Sequence, residues 1–289
     1  MSKYYILYNP LAGNGNCKSD IDALLHILDG DMEYIDMTNI SSYVDFFAEL
    51  DHSVPLVLCG GDGTLNRFIN ETEGIEIKNE LYYYPAGSGN DFANDIGLKK
   101  GDRPVRLEPY IRDLPVVTVN GKQYRYLNGI GYGLDGYCCE EGDRRRQKTD
   151  KPINYTSIAI KGLLFAYEPK NAEVYIDGIR HDYTNVLIAP TMNGKFFGGG
   201  MMAAPDQDRL NRDSHVTAIV VHDVKKLQGL YFFTKFVKGT YARFKNIADI
   251  YECHDVRVVF DKPNALQIDG ETILNVTEYA VTRGRAEEK

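Results

Sequence analysis

Three loops in this 289-residue chain place glycines, hydroxyls and carboxylates where they could seat a phosphate. The plainest is Gly60-Gly61-Asp62-Gly63-Thr64, which follows the apolar run 56–59 and precedes a helical pattern through Leu65, Phe68, Ile69 and Thr72. Glycines let backbone N–H groups approach a phosphate, and a helix starting just beyond adds the positive end of its dipole. Asp62 repels phosphate, so it calls for Mg2+, held directly or through water, or for a donor that it orients. Thr64 can cap the helix or bond a phosphate oxygen. A strand-to-helix turn with Asp62 and Thr64 as local caps accounts for the same five residues about as well. The loop is not GxxxxGK(S/T), so it is not a Walker A site. The second loop, Ala86-Gly87-Ser88-Gly89-Asn90-Asp91, repeats the device, with a hydroxyl at Ser88 and Asn90 at a helix start. The third, NPLAGNGN at 9–16, begins with Asn9 and is again rich in glycine and asparagine.

Strands must carry these loops. Strand patterns at 3–8, 32–36, 56–59 and 81–84 alternate with helical ones, the second helix capped by Ser41 or Ser42 with Val44, Phe47 and Leu50 at helical spacing. Such alternation implies an α/β fold with a largely parallel sheet, whose ligands sit at the carboxyl ends of the strands. All three loops leave strands at that edge and can converge there. After about residue 114 the pattern changes. Asn120-Gly121, Asp177-Gly178 and Asp269-Gly270 each lie between β-favouring runs, the strongest short hairpin signal because both turn positions need positive φ. The expectation is an α/β domain over 1–115 and a β-rich, mainly antiparallel domain over 116–289. The last strand, 276–282, could return to the first domain.

Composition narrows the class. Hydrophobic content of 43% and charged content of 26% suit a soluble globular protein, and a net charge of −8 argues against a general nucleic-acid binder. Five cysteines without a CxxC pair suggest neither a disulfide framework nor a zinc site, which points to a reducing, cytoplasmic compartment. No signal-peptide pattern and no membrane-length apolar run is present.

Taken together, NP with a nearby GNG, then GGDGTLN, GSGNDFA and finally DGE resemble the diacylglycerol kinase catalytic family, which includes bacterial soluble lipid kinases and sphingosine kinases. The motifs run from Asn9 to Glu271, nearly the whole chain. GGDGT alone is shared with NAD kinases, whereas GSGNDFA with DGE leans towards lipid kinases. The resemblance implies an ATP-dependent kinase with an α/β nucleotide domain, a β-rich second domain and a cleft between them. Gly60, Gly61, Asp62, Gly63, Thr64 and Asn66 match the family's nucleotide signature, and Ser88 and Asn90 its second nucleotide loop. Thr38, after the second strand, corresponds to a further nucleotide contact. Glu271 matches the proposed catalytic base, in keeping with a carboxylate that takes a hydroxyl's proton as the γ-phosphoryl moves across. In this picture Asp62 serves the metal side and Glu271 the acceptor side. The acceptor is then a lipid alcohol such as diacylglycerol, ATP and Mg2+ are the cofactors, and the product enters phospholipid metabolism. An NAD kinase-like enzyme and a non-catalytic nucleotide or lipid sensor are the alternatives, and a homodimer is left open.

One stretch departs from the family's pattern. Relatives carry GGG…AP.A…DG.L, whose aspartate binds a structural Mg2+ in some members, but here the Asp-Gly falls on Asn211-Arg212 and the AP.A alanine on Gln207. Asp208 and Asp213 flank Asn211 as the remaining hard-cation candidates. Gly131-Tyr132-Gly133-Leu134-Asp135-Gly136 matches GxGxxG literally, but the residues after it make a poor amphipathic helix start, so a dinucleotide site is not expected. The resemblance places this stretch at the domain junction, with Asp135 on the substrate side. Residues 144–148 (RRRQK) read as a basic loop. Residues 225–246 hold six basic residues, six aromatics and no acid, a composition for a helix that lies peripherally on an anionic inner membrane surface or buries its aromatics in the β domain.

Overall fold

The computed structural model describes residues 3–15, 17–87, 89–148, 153–211 and 213–283. The chain divides into two compact units, residues 1–112 and 113–289.

The first unit runs β1 (Lys3–Tyr8), α1 (Cys17–Asp22), β2 (Asp31–Asp36), α2 (Tyr43–Glu49), β3 (Leu56–Gly60), α3 (Asp62–Glu71), β4 (Leu81–Pro85), α4 (Asp91–Asp95), β5 (Val105–Arg106) and α5 (Glu108–Ile111). Its sheet has the order β2-β1-β3-β4-β5, parallel except for β5. Every residue of β3 is buried, as expected for a central strand covered on both faces. Ile6, Val57, Cys59 and Tyr84 pack with Cys17, Ile21 and Leu24 of the α1 region. Elsewhere in the unit Tyr43 and Phe47 stack on each other and both meet Phe68 edge to face, with ring centroids 5.9 to 6.4 Å apart. The Ser42 side chain caps α2 by accepting from the Asp45 N–H at 3.3 Å. Its buried face is Tyr43 and Phe47 rather than the expected stripe, because Val44 is 62% exposed.

The second unit contains β6 (Val116–Val119), β7 (Lys122–Arg125), β8 (Gly129–Tyr132), α6 (Leu134–Arg146), α7 (Tyr155–Lys161), β9 (Lys170–Ile176), β10 (Ile179–Ile188), β11 (Thr191–Met192), β12 (Val216–His222), α8 (Lys226–Phe236), β13 (Ala248–Cys253), β14 (Asp255–Ile268) and β15 (Glu271–Thr282). The three expected hairpins are present as β6/β7, β9/β10 and β14/β15. Both central residues of each turn have positive φ, from 46° at Asp269 to 96° at Gly270. β15 lies between β14 and β6 in this unit's sheet. β14 pairs through Val256–Phe260 with β9 and through Leu266–Ile268 with β8, so the path β8-β11-β12-β10-β9 closes on it. Inside lie Val174, Val220, Val258, Leu266 and Tyr279 among others.

Two expectations fail here. A helix does follow the GxGxxG match, since α6 starts at Leu134 with Gly133 as its N-cap at φ 99°. The basic triplet is not a loop either: Arg144, Arg145 and Arg146 form the last turn of α6, where Glu141 pairs with Arg144 and, at 2.8 Å, with Arg145. Cations at a helix C-terminus complement its dipole, and these (i, i+3) and (i, i+4) pairs support a helix without an apolar stripe. The glycines serve packing: a Cβ on Gly136 would fall 1.9 Å from the Ala265 carbonyl oxygen of β14. Among the described residues no helix is long and apolar enough to cross a membrane.

Candidate active site

In the first unit the three glycine loops meet. A Cβ on Gly87 would lie 2.3 Å from Gly61 Cα, and one on Gly13 would lie 3.1 Å from the Ala86 carbonyl oxygen. The Ala86 N–H also donates to the Gly60 oxygen at 2.9 Å, extending the β3/β4 pairing into the loops. Backbones this close leave no room for side chains, which is the reason for glycine at 61 and 87. Gly60 makes room for Thr64, whose Cβ would stand 2.4 Å from any Cβ there. Thr64 and Asn66 are both buried, and α3 starts at Asp62, its N-cap Gly61 offering no side-chain cap.

Asp62 ties two of the loops together. Its Oδ2 accepts from the Asp91 N–H at 2.8 Å and its Oδ1 from the Phe92 N–H at 2.9 Å, so it seats the start of α4. Of the roles open to Asp62 in the sequence, orienting a donor is the one that the geometry displays, and two charge-assisted bonds fix the loop at 86–91. Asn90 stands just before α4 in the left-handed region at φ 48° and donates to the Gly87 oxygen at 2.9 Å. Its Oδ1 is buried without a hydrogen-bond partner among the described residues. Asn9 shapes its loop by accepting from the Leu11 N–H at 3.0 Å. Thr38 is exposed in the turn after β2, its hydroxyl 2.7 Å from Asp36 Oδ1. Ser88 lies outside the described residues, as does Asn16.

In the second unit, Glu271 opens β15 directly after the Asp269-Gly270 turn, and its side chain is exposed. The turn is anchored more firmly than a hairpin needs. The Asp269 carboxylate accepts from the N–H groups of Leu127, Asn128 and Gly129 at 2.6 to 3.0 Å, and the Gly270 N–H donates to Gln267 Oε1 at 2.7 Å. The Thr272 hydroxyl donates to Asp143 of α6 at 2.7 Å. Glu271 therefore projects from a tip held on both sides. Asp135, in the first turn of α6, has a sealed Oδ2 without a hydrogen-bond partner among the described residues, facing Gly131. Burial pushes its carboxyl up from 3.8 to about 6, against a hydrogen bond from the Gln267 side chain.

The residues at 205–215 do not fit a resident Mg2+. Asn211 Oδ1 accepts from the His215 N–H at 2.8 Å, Asp208 Oδ1 from the Leu210 N–H at 3.0 Å, and Asp213 is exposed. A guanidinium supplies the positive charge instead: Arg283 donates to the oxygens of His215 and Arg209 at 2.9 and 3.0 Å and to Asn193 Oδ1 at 2.9 Å. Arg209 in turn donates to the Leu127 oxygen at 3.2 Å and to Asn128 Oδ1 at 3.1 Å. Gln207, in place of the alanine, is buried and accepts from the Thr217 hydroxyl at 2.7 Å. Among the described residues no group of three or more His, Cys, Asp or Glu side chains could hold a metal ion. Arg212 lies outside the described residues. Sequence reasoning missed Asp269 as an anchor and both buried arginines. Arg283 gives no signal because it sits next to a charged tail, and Asp269 was absorbed by its turn role.

A parallel α/β sheet with converging glycine loops, followed by a closed antiparallel sheet, defines the diacylglycerol kinase and NAD kinase-like class of fold. Within it, the chain belongs to the diacylglycerol kinase catalytic family: residues 3–116 match the diacylglycerol kinase catalytic domain, and residues 128–282 the YegS C-terminal NAD kinase beta sandwich-like domain. It is 22% identical over 244 residues to the "Putative lipid kinase YtlR" of Bacillus subtilis, covering 78% of this chain and 75% of that one. It is 24% identical over 223 residues to a diacylglycerol kinase of the same organism, covering 75% and 70%. A crystal structure of a diacylglycerol kinase from Bacillus anthracis superposes with a TM-score of 0.64 at 18% identity, covering 98% of this chain and 94% of that one. Membership of a kinase family makes the chain a phosphotransferase that uses ATP.

Proposed function

We propose that the chain transfers the γ-phosphoryl group of ATP, taken up as its magnesium complex, to a hydroxyl of a lipid alcohol such as diacylglycerol. The observation that carries this reading is the close backbone approach of Gly61 and Gly87, clamped by Asp62, which turns two separate turns into one glycine-rich seat. Gly60, Gly61, Gly63 and Gly87 admit the phosphates, Thr64, Asn66, Ser88 and Asn90 contribute polar contacts, and Asn9 and Thr38 complete the nucleotide side. Mg2+ comes with the nucleotide and neutralises phosphate charge. Glu271 takes the proton of the acceptor hydroxyl as that oxygen bonds to the γ-phosphorus. The bond from phosphorus to the β,γ-bridging oxygen breaks, ADP leaves, and the proton passes from Glu271 to solvent. The anchored tip holds the backbone from which Glu271 projects, which supports the positioning that a general base needs.

The test is phosphotransfer from labelled ATP into a total lipid extract, followed by identification of the product. Glu271→Gln should lower kcat by a factor on the order of 10² to 10⁴ and leave ATP affinity intact. Full activity in that variant would remove the mechanism. Phosphorylation of NAD with none of any lipid would replace the acceptor assignment, and ATP binding without transfer to any lipid would make the chain a sensor.

A further inference from the structure

Two large apolar side chains of the second unit stand in water on abutting elements. Phe165 and Leu227 are each 82% exposed, and Tyr231 is 52% exposed. Phe165 belongs to the wide helical turn Gly162–Ala166 that continues α7, while Leu227 and Tyr231 share one face of α8 at (i, i+4) spacing. The two elements are packed together, since a Cβ on Gly229 of α8 would come 2.9 Å from Leu163 Cδ1. The opposite face of α8 meets the need of the core: Phe232 and Phe236 are buried against Tyr241 and Leu163. Core packing therefore explains Phe232, Phe236, Tyr241 and Phe244, four of the six aromatics at 225–246, and leaves Leu227 and Tyr231 on the outer face unexplained.

Charge identifies what that face meets. Lys161, Lys225, Lys226, Lys238, Arg243 and Lys245 are exposed on these elements and the turns after α8. No Asp or Glu occurs at 224–248 or at 153–167, in a chain whose net charge is −8. Arg243 donates to the Tyr231 hydroxyl at 2.8 Å, and the Lys235 ammonium stands 5.3 Å from the Tyr231 ring centroid, which presents that tyrosine among cations. Exposed apolar residues with exposed basic ones on the same elements, bordered by Glu168 and Asp223, suit an interface that is apolar below and anionic at its rim.

We infer that this face docks on an anionic lipid bilayer, with Phe165 and Leu227 entering the acyl boundary and the lysines lying among the headgroups. The inference deepens the lipid kinase reading by naming the surface through which the chain reaches its acceptor, but binding is measured without catalysis. The experiment sediments the intact chain with vesicles of phosphatidylcholine, with or without phosphatidylglycerol. Wild type should bind only the anionic vesicles, more weakly as salt rises. The double variant Phe165→Ser/Leu227→Ser should lose roughly tenfold or more in partitioning at an unchanged melting temperature. Lys225→Glu/Lys226→Glu should lose a comparable factor and much of the salt dependence. Unchanged binding in the variants, or equal wild-type binding to both vesicles, overturns the proposal. So does a wild-type dimer that the apolar variant disperses without any vesicle binding, which assigns the face to a second copy of the chain. Transfer to a short-chain, water-soluble lipid alcohol separates the two readings. Variants that phosphorylate it normally while failing on vesicles support docking. A wild type that binds vesicles but phosphorylates no acceptor leaves docking intact and removes the kinase reading.

Discussion

Replacing Asp135 by Asn tests whether a carboxylate is held in the fold against its preference for water. Oδ2 is sealed and has no hydrogen-bond partner among the described residues, and burial lifts the carboxyl from 3.8 to about 6. Because the folded pKa is raised, the folded chain binds the proton more tightly than the unfolded chain does. Well below 3.8 both states are protonated and Asp135 costs nothing; as pH rises from there to about 6 the unfolded chain ionises first, and stability falls. Above that the penalty is constant. Two pKa units at about 1.4 kcal/mol each give about 3 kcal/mol, a ceiling because the residue as a whole is only half-buried while Oδ2 is sealed. Asp135→Asn removes the ionisation and keeps the shape. Urea unfolding at pH 4 and at pH 7.5 should therefore show the variant gaining up to about 3 kcal/mol on wild type between the two conditions. The change with pH is the signature, since an imperfectly paired amide shifts both values alike. A stability difference that is the same at both pH values would refute the reasoning and mean that the carboxylate is not penalised by its surroundings.

Other perturbations read out the clamps. Gly87→Ala would put a Cβ 2.3 Å from Gly61 Cα, forcing the two loops apart; stability should fall by about 1 to 3 kcal/mol and ATP affinity by tenfold or so, measured by melting and calorimetry. Asp269→Ala orphans the N–H groups of Leu127, Asn128 and Gly129. It should cost about 3 kcal/mol or more and lower kcat with ATP affinity unchanged. Since Arg283 holds the oxygens of Arg209 and His215, chelation by EDTA should leave the melting temperature of the nucleotide-free chain unchanged. Arg283→Ala should lower its stability by about 3 kcal/mol or more, through loss of buried hydrogen bonds.

The fold was legible where local chemistry decides it. The three hairpins follow from Asn-Gly and Asp-Gly dipeptides that tolerate positive φ, and the parallel sheet from apolar runs broken by glycine loops. Contacts distant in sequence were not legible. Nothing near Asp62 says that its carboxylate meets the N–H groups of Asp91 and Phe92, and nothing near Arg283 says that it meets His215. The pattern misled at α6, where 134–146 lacks an apolar stripe and is held instead by glycine-tight packing on β14 and by Glu141 with its arginines. Val44 misled for the opposite reason: apolar and at helical spacing, it nevertheless faces solvent while Tyr43 takes its place.

The closure of the second unit on β14 bears on how the chain acquires its structure. β8 and β9 come earlier in the sequence and pair on one side with β11 and β10, yet each finds its second partner only in residues 256–268. Until that strand leaves the ribosome the ring stands open, with unpaired strand edges facing solvent. The first unit contains its own sheet complete and can fold while the second is still being made. Synthesis should therefore pass through a stage with a finished α/β unit and an open β unit that is prone to associate, ended by a slow, long-range closing step. Pulse-labelled hydrogen exchange would place protection of β3 and β4 before that of β8 and β9.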